Sequence, residues 1–457
     1  MKISFVDDEP EIYPLQYGGK ARTVLGLAKS ALSFDVVEEV TIMSRSIHGE
    51  VDDFTDSNGI NFRTLNDRNL IGSITQEALD ADIISIHTCS TTFPLIPPEN
   101  RNASLIYHLH DVMLATSDKG SHLDKALAGD WDVIVSPSNF ASRTYENFSA
   151  TIGTSAEIRT IPRGIDTTLF HPVPKNEALK GLEQVGISLP YNTGPVLYFP
   201  GRADVGKGDD QIQIICESLS RIYPDFLVVT ASDADAYRQH PNVLHLGWQD
   251  SSILKFIYSI ADVTVALSKL PESFSQVCIE SIACGTAVLA FPFGNLPELS
   301  QALPAINVCE PTTEDILAVL HNILATPGDD TSIIESQTTI KSEYDIEQIG
   351  KTYIQLYKDV AKRRNNQLKV PKVYFISPFV TVHRNAAYIS DSDNSPIQQY
   401  TLTKEESLVL SRCTNAVTIE EIILTTGLNS ETIMSNLRLL IANRVLIGAN
   451  NDRNLAK

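Results

Sequence analysis

Short β-branched runs alternate with longer helical patterns through most of the 457-residue chain. The first set is Lys2–Asp7, Val36–Ser44, Ala81–Thr88, Ser104–His110, Trp131–Ser138 and Ile158–Pro162. The second is Pro195–Pro200, Asp225–Ser232, Asn242–Trp248, Asp262–Ser268, Ala287–Phe293 and Ala305–Cys309. Several of these runs are apolar without alternation, the pattern of strands covered by helices on both faces. Alternating βα units of this length predict right-handed crossovers and doubly wound parallel sheets, and two sets predict two sheets. The stretch Ser188–Gly194 has turn composition and no apolar period, which separates a domain over 1–187 from one over 193–345. A returning helix and linker over 346–366 follow, the helix ending in Lys362-Arg363-Arg364, cations where the helix dipole favours them.

From Pro371 to Asn450 the texture changes. Two strand-like runs, Phe379–His383 and Tyr400–Leu402, precede three short helices. Thr403 with Glu406, and Thr418 with Glu421, fit the capping box, in which hydroxyl and carboxylate satisfy orphan amides reciprocally. Ser430 can cap the third helix, whose Ile433, Leu437 and Leu440 share one face. Val445-Leu446-Ile447 reads as a wing strand, so residues 371–450 are predicted to form a small winged-helix-like α+β domain.

Composition narrows the function. The chain carries a net charge of −20, which on average repels nucleic acid and anionic lipid. Its apolar runs are shorter than the roughly 18 residues of a membrane span. The first run reaches Asp7-Asp8 too soon for a signal peptide. A cytoplasmic protein without stable membrane insertion is expected. The six cysteines show no C-x-x-C spacing and read as reduced, buried thiols.

Two segments carry candidate chemistry. In Val196–Gly208, Gly201, Gly206 and Lys207 fall in register with a P-loop, between a strand and a helix where backbone amides can approach phosphate. Gly208 stands where a P-loop needs a hydroxyl, so an ATPase is disfavoured, while Arg202 can reach a phosphate bidentately. In Pro271–Gly285, Glu272 and Glu280 are eight apart at the opening of a helix and lie about 12 Å apart along it. An elongated ligand could be held at both ends, its anionic middle at the amides of Phe274, Ser275 and Gln276.

Together with further landmarks these segments resemble the family-four-like retaining glycosyltransferases of GT-B fold, over about Lys2 to Arg364. The landmarks are Tyr17-Gly18-Gly19-Lys20, His110-Asp111, Ile161-Pro162-Arg163-Gly164-Ile165-Asp166, Gly201-Arg202 with Lys207-Gly208, Asn242-Val243 with Leu246-Gly247, Glu272 with Glu280, and Gly294-Asn295-Leu296-Pro297-Glu298. The resemblance implies two facing Rossmann-like domains and a nucleotide-diphosphate sugar as co-substrate. It implies that Arg202 and Lys207 neutralise the leaving diphosphate without a metal. Glu272 would accept hydrogen bonds from the sugar and Glu280 from the ribose. His110 would lie near the sugar from across the cleft, and the Gly18-Gly19 loop near donor phosphate or acceptor. One departure stands out: Ser273 and Ser275 flank Phe274 where the family usually has glycines. Asp233-Ala234-Asp235 and Asp7-Asp8-Glu9 read as polar loops rather than metal sites, so no metal or other cofactor is expected. His87 and His108, on apolar strands, read as core histidines.

The C-terminal segment resembles a PqqD-like peptide-recognition element, which implies an added strand of bound leader peptide. A structural or dimerising appendage and a nucleic-acid binder are the other readings, the last disfavoured by few basic side chains on the third helix. The function expected is retaining hexosyl transfer to an acceptor, with a ribosomal peptide as one candidate. Transfer to a lipid-linked or polysaccharide glycan and a non-catalytic sugar-nucleotide-binding regulator are the alternatives.

Overall fold

A computed structural model describes residues 1–7, 19–45, 53–65, 74, 77, 80–88, 102–112, 126, 131–152, 156–189, 194–201, 205–231, 240–325, 330–367, 373–376, 380–383, 386–390, 396–412, 419–429, 432, 433, 436, 437, 440 and 446–449.

The first domain holds strands β1 (Lys2–Asp7), β2 (Glu39–Arg45), β3 (Phe54–Thr55), β4 (Asn61–Leu65), β5 (Ile83–Thr88), β6 (Ser104–His108), β7 (Val133–Ser136) and β8 (Ile158–Thr160). They form one sheet in the order β3-β4-β2-β1-β5-β6-β7-β8. Only the short β3 runs antiparallel to its neighbour among these pairs. The period of two sorts the side chains onto two cores. Ile3, Phe5, Ile83 and Ile106 face one cluster, while Val6, Ile84, Ile86 and Tyr107 face the other. The hairpin β3–β4 was not read from the sequence. Asn61–Leu65 mixes polar and apolar residues as an edge does, and its Phe62 stacks on Phe54 with centroids 4.8 Å apart.

The second domain holds β9 (Val196–Phe199), β10 (Leu227–Thr230), β11 (Val243–His245), β12 (Val263–Ala266), β13 (Ala287–Ala290) and β14 (Ile306–Val308), all parallel in the order β11-β10-β9-β12-β13-β14. Both sheets are doubly wound, as the two sets of runs predict.

The helices needed below are α1 (Gly19–Leu32), α2 (Asn139–Ile152), α3 (Lys175–Gln184), α4 (Gln276–Ala283) and α5 (Ile346–Gln367). Packing and chain order disagree at two of them. Helix α3 precedes the boundary expected at 187–193, yet its Ala178 and Leu182 lie in the second domain's core beside Ile257 and Tyr258. Helix α5 follows the second domain but packs in the first, where Ile349, Tyr353 and Tyr357 join Val24 and Ala28 of α1. A turn-rich linker marks where apolar patterning lapses, not where the core changes.

In the C-terminal segment β15 (Val373–Ile376) pairs antiparallel with β19 (Leu446–Ala449), and β16 (Val380–His383), β17 (Ala386–Ser390) and β18 (Pro396–Thr401) form an antiparallel sheet in that order. The Thr403–Glu406 capping box forms: the Thr403 hydroxyl accepts from the Glu406 amide, and the Glu406 carboxylate from the Thr403 amide at 2.7 Å. Ile433, Leu437 and Leu440 are buried. Thr418 and Ser430 lie outside the described residues, and β15 and β17 were not read from the sequence.

Candidate functional site

On the second domain, β9 ends at Phe199, Gly201 lies just beyond it, and a short 3-10 turn, Val205–Lys207, follows. Gly208 holds φ +79°, and a side chain there would collide with the Leu267 carbonyl beyond β12. Lys269 donates its amide to the Gly206 carbonyl at 2.7 Å. This close backbone approach brings Lys207 Nζ to 2.6 Å from Glu272 Oε1. The pair is partly exposed, at 32% and 21%. Glu272 is braced from behind. Gly294, at φ +66°, lets its loop pack directly on the Glu272 backbone, and Asn295 donates its amide to the Glu272 carbonyl at 2.9 Å.

Helix α4 opens after Ser275. The Phe274 ring lies in the core, and the Cys278 thiol donates to the Ser275 hydroxyl. Gln276 is buried, and its Oε1 has no hydrogen-bond partner among the described residues. Glu280 is fully buried and turned toward the first domain: Arg22 of α1 donates to it at 2.6 Å and the Tyr258 hydroxyl at 3.1 Å. Burial, with the Glu280 carboxylate as the lesser cause, pushes the Tyr258 phenol well above its usual range.

The first domain supplies the facing wall. Gly19 lies so close to Gln276 that a Cβ would sit 2.8 Å from the Gln276 Oε1. His110, just beyond β6, has its ring nitrogens engaged within its own domain. Nδ1 is 2.8 Å from an Arg163 guanidinium nitrogen, and Nε2 is 3.1 Å from His87 Nδ1. What meets the second domain is the His110 carbonyl, which accepts from the Ser273 hydroxyl. Ser273 thus uses the side chain that a glycine would lack to join the two walls. His87 and His108 are buried and stacked, with centroids 3.8 Å apart. Burial, and then the Arg163 charge, pull His108 down to about 3; burial pulls Arg163 to about 10, so it stays charged at neutral pH. A second bridge lies nearby: Glu298 accepts from the Asn139 and Phe140 amides at 3.0 and 3.1 Å, capping α2 of the first domain from the second.

The site residues expected from the sequence thus divide. Lys207 and Glu272 touch each other; Gly19 touches Gln276; His110 touches Ser273; Glu280 lies deeper, against Arg22; Gly201 flanks Lys207. Gly18 and Arg202 lie outside the described residues, as do Asp233-Ala234-Asp235 and Asp8-Glu9. Asp7 pairs with Lys20 at 2.9 Å, and no group of three metal-ligating side chains occurs among the described residues. Arg22 was not foreseen, because nothing local marks an arginine one turn into a helix. Arg163 was visible only as one letter of a landmark.

Residues 223–339 match the model of the family described as Glycosyl transferases group 1. The chain is 22% identical over 290 residues to a Salmonella typhimurium lipopolysaccharide 1,2-N-acetylglucosaminetransferase, covering 59% of this chain and 71% of that protein. It is 26% identical over 225 residues to a Xylanimonas cellulosilytica D-inositol 3-phosphate glycosyltransferase, covering 45% of this chain and 52% of that protein. It therefore spans little more than half of the latter. Among solved structures it resembles a Thermosynechococcus elongatus sucrose-phosphate synthase (TM-score 0.64, 18% identity, 79% of this chain and 99% of that one). It also resembles Anabaena HepE in complex with UDP-glucose (TM-score 0.58, 18% identity, 79% and 100%). Likeness at this level shows the fold, the GT-B pair of facing Rossmann-like domains. No helix among the described residues is long and apolar enough to cross a membrane.

Proposed function

We propose that this protein transfers a hexose from a nucleotide-diphosphate sugar to an acceptor, with retention at the anomeric carbon and without a metal. The observation that carries the reading is the Lys207–Glu272 pair at the mouth of α4, 2.6 Å apart and partly open. A cation suited to a leaving diphosphate stands beside a carboxylate suited to sugar hydroxyls, the latter within the segment that matches Glycosyl transferases group 1. Lys207, with Arg202 by its place in the sequence, would stabilise the charge that grows on the diphosphate as the glycosidic bond breaks. The amides of Phe274, Ser275 and Gln276 at the helix N-terminus would add to this. The buried, unpartnered Gln276 Oε1 offers an acceptor for a donor-ligand hydroxyl beside Gly19. Glu280 would accept from the ribose by exchanging its contact with Arg22. The acceptor would attack the face the diphosphate leaves.

The solved HepE complex with UDP-glucose and the Salmonella relative's name make UDP-glucose and UDP-N-acetylglucosamine the first donors to test. Release of UDP from either by the purified protein without acceptor, continuing in excess chelator, is the expected result. No turnover of any nucleotide sugar would overturn the reading. For the acceptor, strand β16 lies at an edge of its three-stranded sheet, where an extended peptide can add a strand. A ribosomal peptide is therefore the proposed acceptor. The lipopolysaccharide-directed relative favours a second reading, transfer to a glycan.

A further inference from the structure

Three histidines, His87 and His108 buried and His110 partly so, form a chain in which the protons of two rings can be placed. Ser85 and His87 on β5 and His108 on β6 share the sheet face that carries Ile83 and Ile106, so the period of two turns them toward α5. Arg163 is the fixed point. A guanidinium only donates, and the same Arg163 nitrogen that is 2.8 Å from His110 Nδ1 also donates to the His110 carbonyl at 3.1 Å. His110 Nδ1 therefore accepts, and the ring's one proton lies on Nε2. That proton goes to His87 Nδ1 at 3.1 Å, which leaves the His87 proton on Nε2, 3.3 Å from the Ser85 hydroxyl. Ser85 accepts it and keeps one proton to give, to His108 Nε2 at 2.7 Å or to the Tyr357 hydroxyl at 3.2 Å. His108 Nδ1 faces the Tyr353 hydroxyl at 3.4 Å, so either neutral tautomer of His108 is bonded at both nitrogens. The Arg163 guanidinium thus fixes His110 and His87 with the proton on Nε2. Adding a proton to His110 or His87 would set two donors face to face within reach of a buried cation.

We propose that Arg163 is the positioning residue of the cleft: it holds His110 as the neutral Nε2–H tautomer and, through His87, Ser85 and His108, ties that wall to Tyr353 and Tyr357 of the returning helix. The proposal rests on the hexosyl-transfer reading for its effect on rate, but not for the tautomers. Because Ser273 reaches the His110 carbonyl, a displaced His110 would also shift the wall that meets the second domain.

The test uses the full chain with histidine-selective ¹⁵N labelling, His110 being assigned by Asn substitution. In the wild-type protein His110 and His87 should show neutral rings protonated on Nε2, and His108 a neutral ring, near pH 7. Arg163→Met should release His110 to mixed tautomers and lower kcat by about 10²-fold with donor KM changed less than about threefold, the signature of lost alignment rather than lost binding. Arg163→Lys, which keeps a donor, should recover at least about tenfold of that loss. A wild-type His110 protonated on Nδ1 or cationic overturns the proposal without any variant. So does an Arg163→Met protein with unchanged kcat. If the wild-type protein turns over no nucleotide sugar, the functional reading falls while the imidazole spectra still decide the relay.

Discussion

The two walls of the cleft are built on opposite electrostatic plans. The second domain presents charge: Lys207 with Glu272 at the opening, and Glu280 beneath. The first, apart from the Arg22 that meets Glu280, presents neutral rings: His110 bonded to Arg163 and to His87, and His108 joined to His87 through Ser85. The charged wall sits at the mouth of the site, where charge can be exchanged for that of a ligand. The neutral wall is buried against α5, where an unbalanced charge costs several kcal/mol. Polar groups on one wall are available to be exchanged; those on the other are arranged to stay.

The largest test of this contrast is at Glu280, a charge of the second wall that is fully buried. Glu280→Ala takes from the Arg22 guanidinium the buried carboxylate it meets at 2.6 Å and should lower unfolding free energy by about 3–5 kcal/mol, read from urea denaturation. Glu280→Gln, which keeps an acceptor, should cost less. An equal loss would mean that packing, not charge, sets the effect. Next is the mouth itself: Lys207→Ala should lower kcat/KM about 10²-fold with little change in melting temperature, the same being expected of Arg202→Ala. Near-wild-type turnover in both would remove the charge-stabilising role from this wall.

The neutral wall is tested by pH. The folded pKa of His108, about 3, lies below the free value of 6.5, so the unfolded state binds the proton first. Its contribution to stability is complete above about pH 6.5 and is lost as pH falls toward 3, at up to about 1.4 kcal/mol per pH unit. Denaturation curves between pH 7 and 4 should show this slope, and His108→Gln should flatten it. An unchanged slope would locate acid sensitivity elsewhere. A smaller effect, about 1 kcal/mol, is expected for Glu298→Ala, which removes the cross-domain cap from α2. Smallest of all, removing the chain beyond residue 366 should leave donor hydrolysis near wild type and weaken transfer to a peptide mainly through KM. Parallel loss of both reactions would show that the segment props the cleft.

What the amino-acid pattern determined by itself was whatever depends on near neighbours. Two parallel sheets followed from two sets of apolar runs, because a strand buried on both faces has no polar side to show. The Thr403–Glu406 cap was legible for the same reason, whereas the glycines at 208 and 294 and the grouping of Lys207 with Glu272 into one candidate site came from the resemblance. Tertiary structure alone decided the rest. That α3 packs in the core across the linker from its neighbours in sequence depends on which apolar faces meet, and no local composition encodes that. Ser85, His87, His108, His110, Arg163, Tyr353 and Tyr357 come from four separated stretches of chain, of which the resemblance marks only those of His110 and Arg163. Only when β5 lies beside β6 and α5 returns over them do two buried core histidines become part of the cleft wall, because a hydrogen bond reports distance in space and not in sequence.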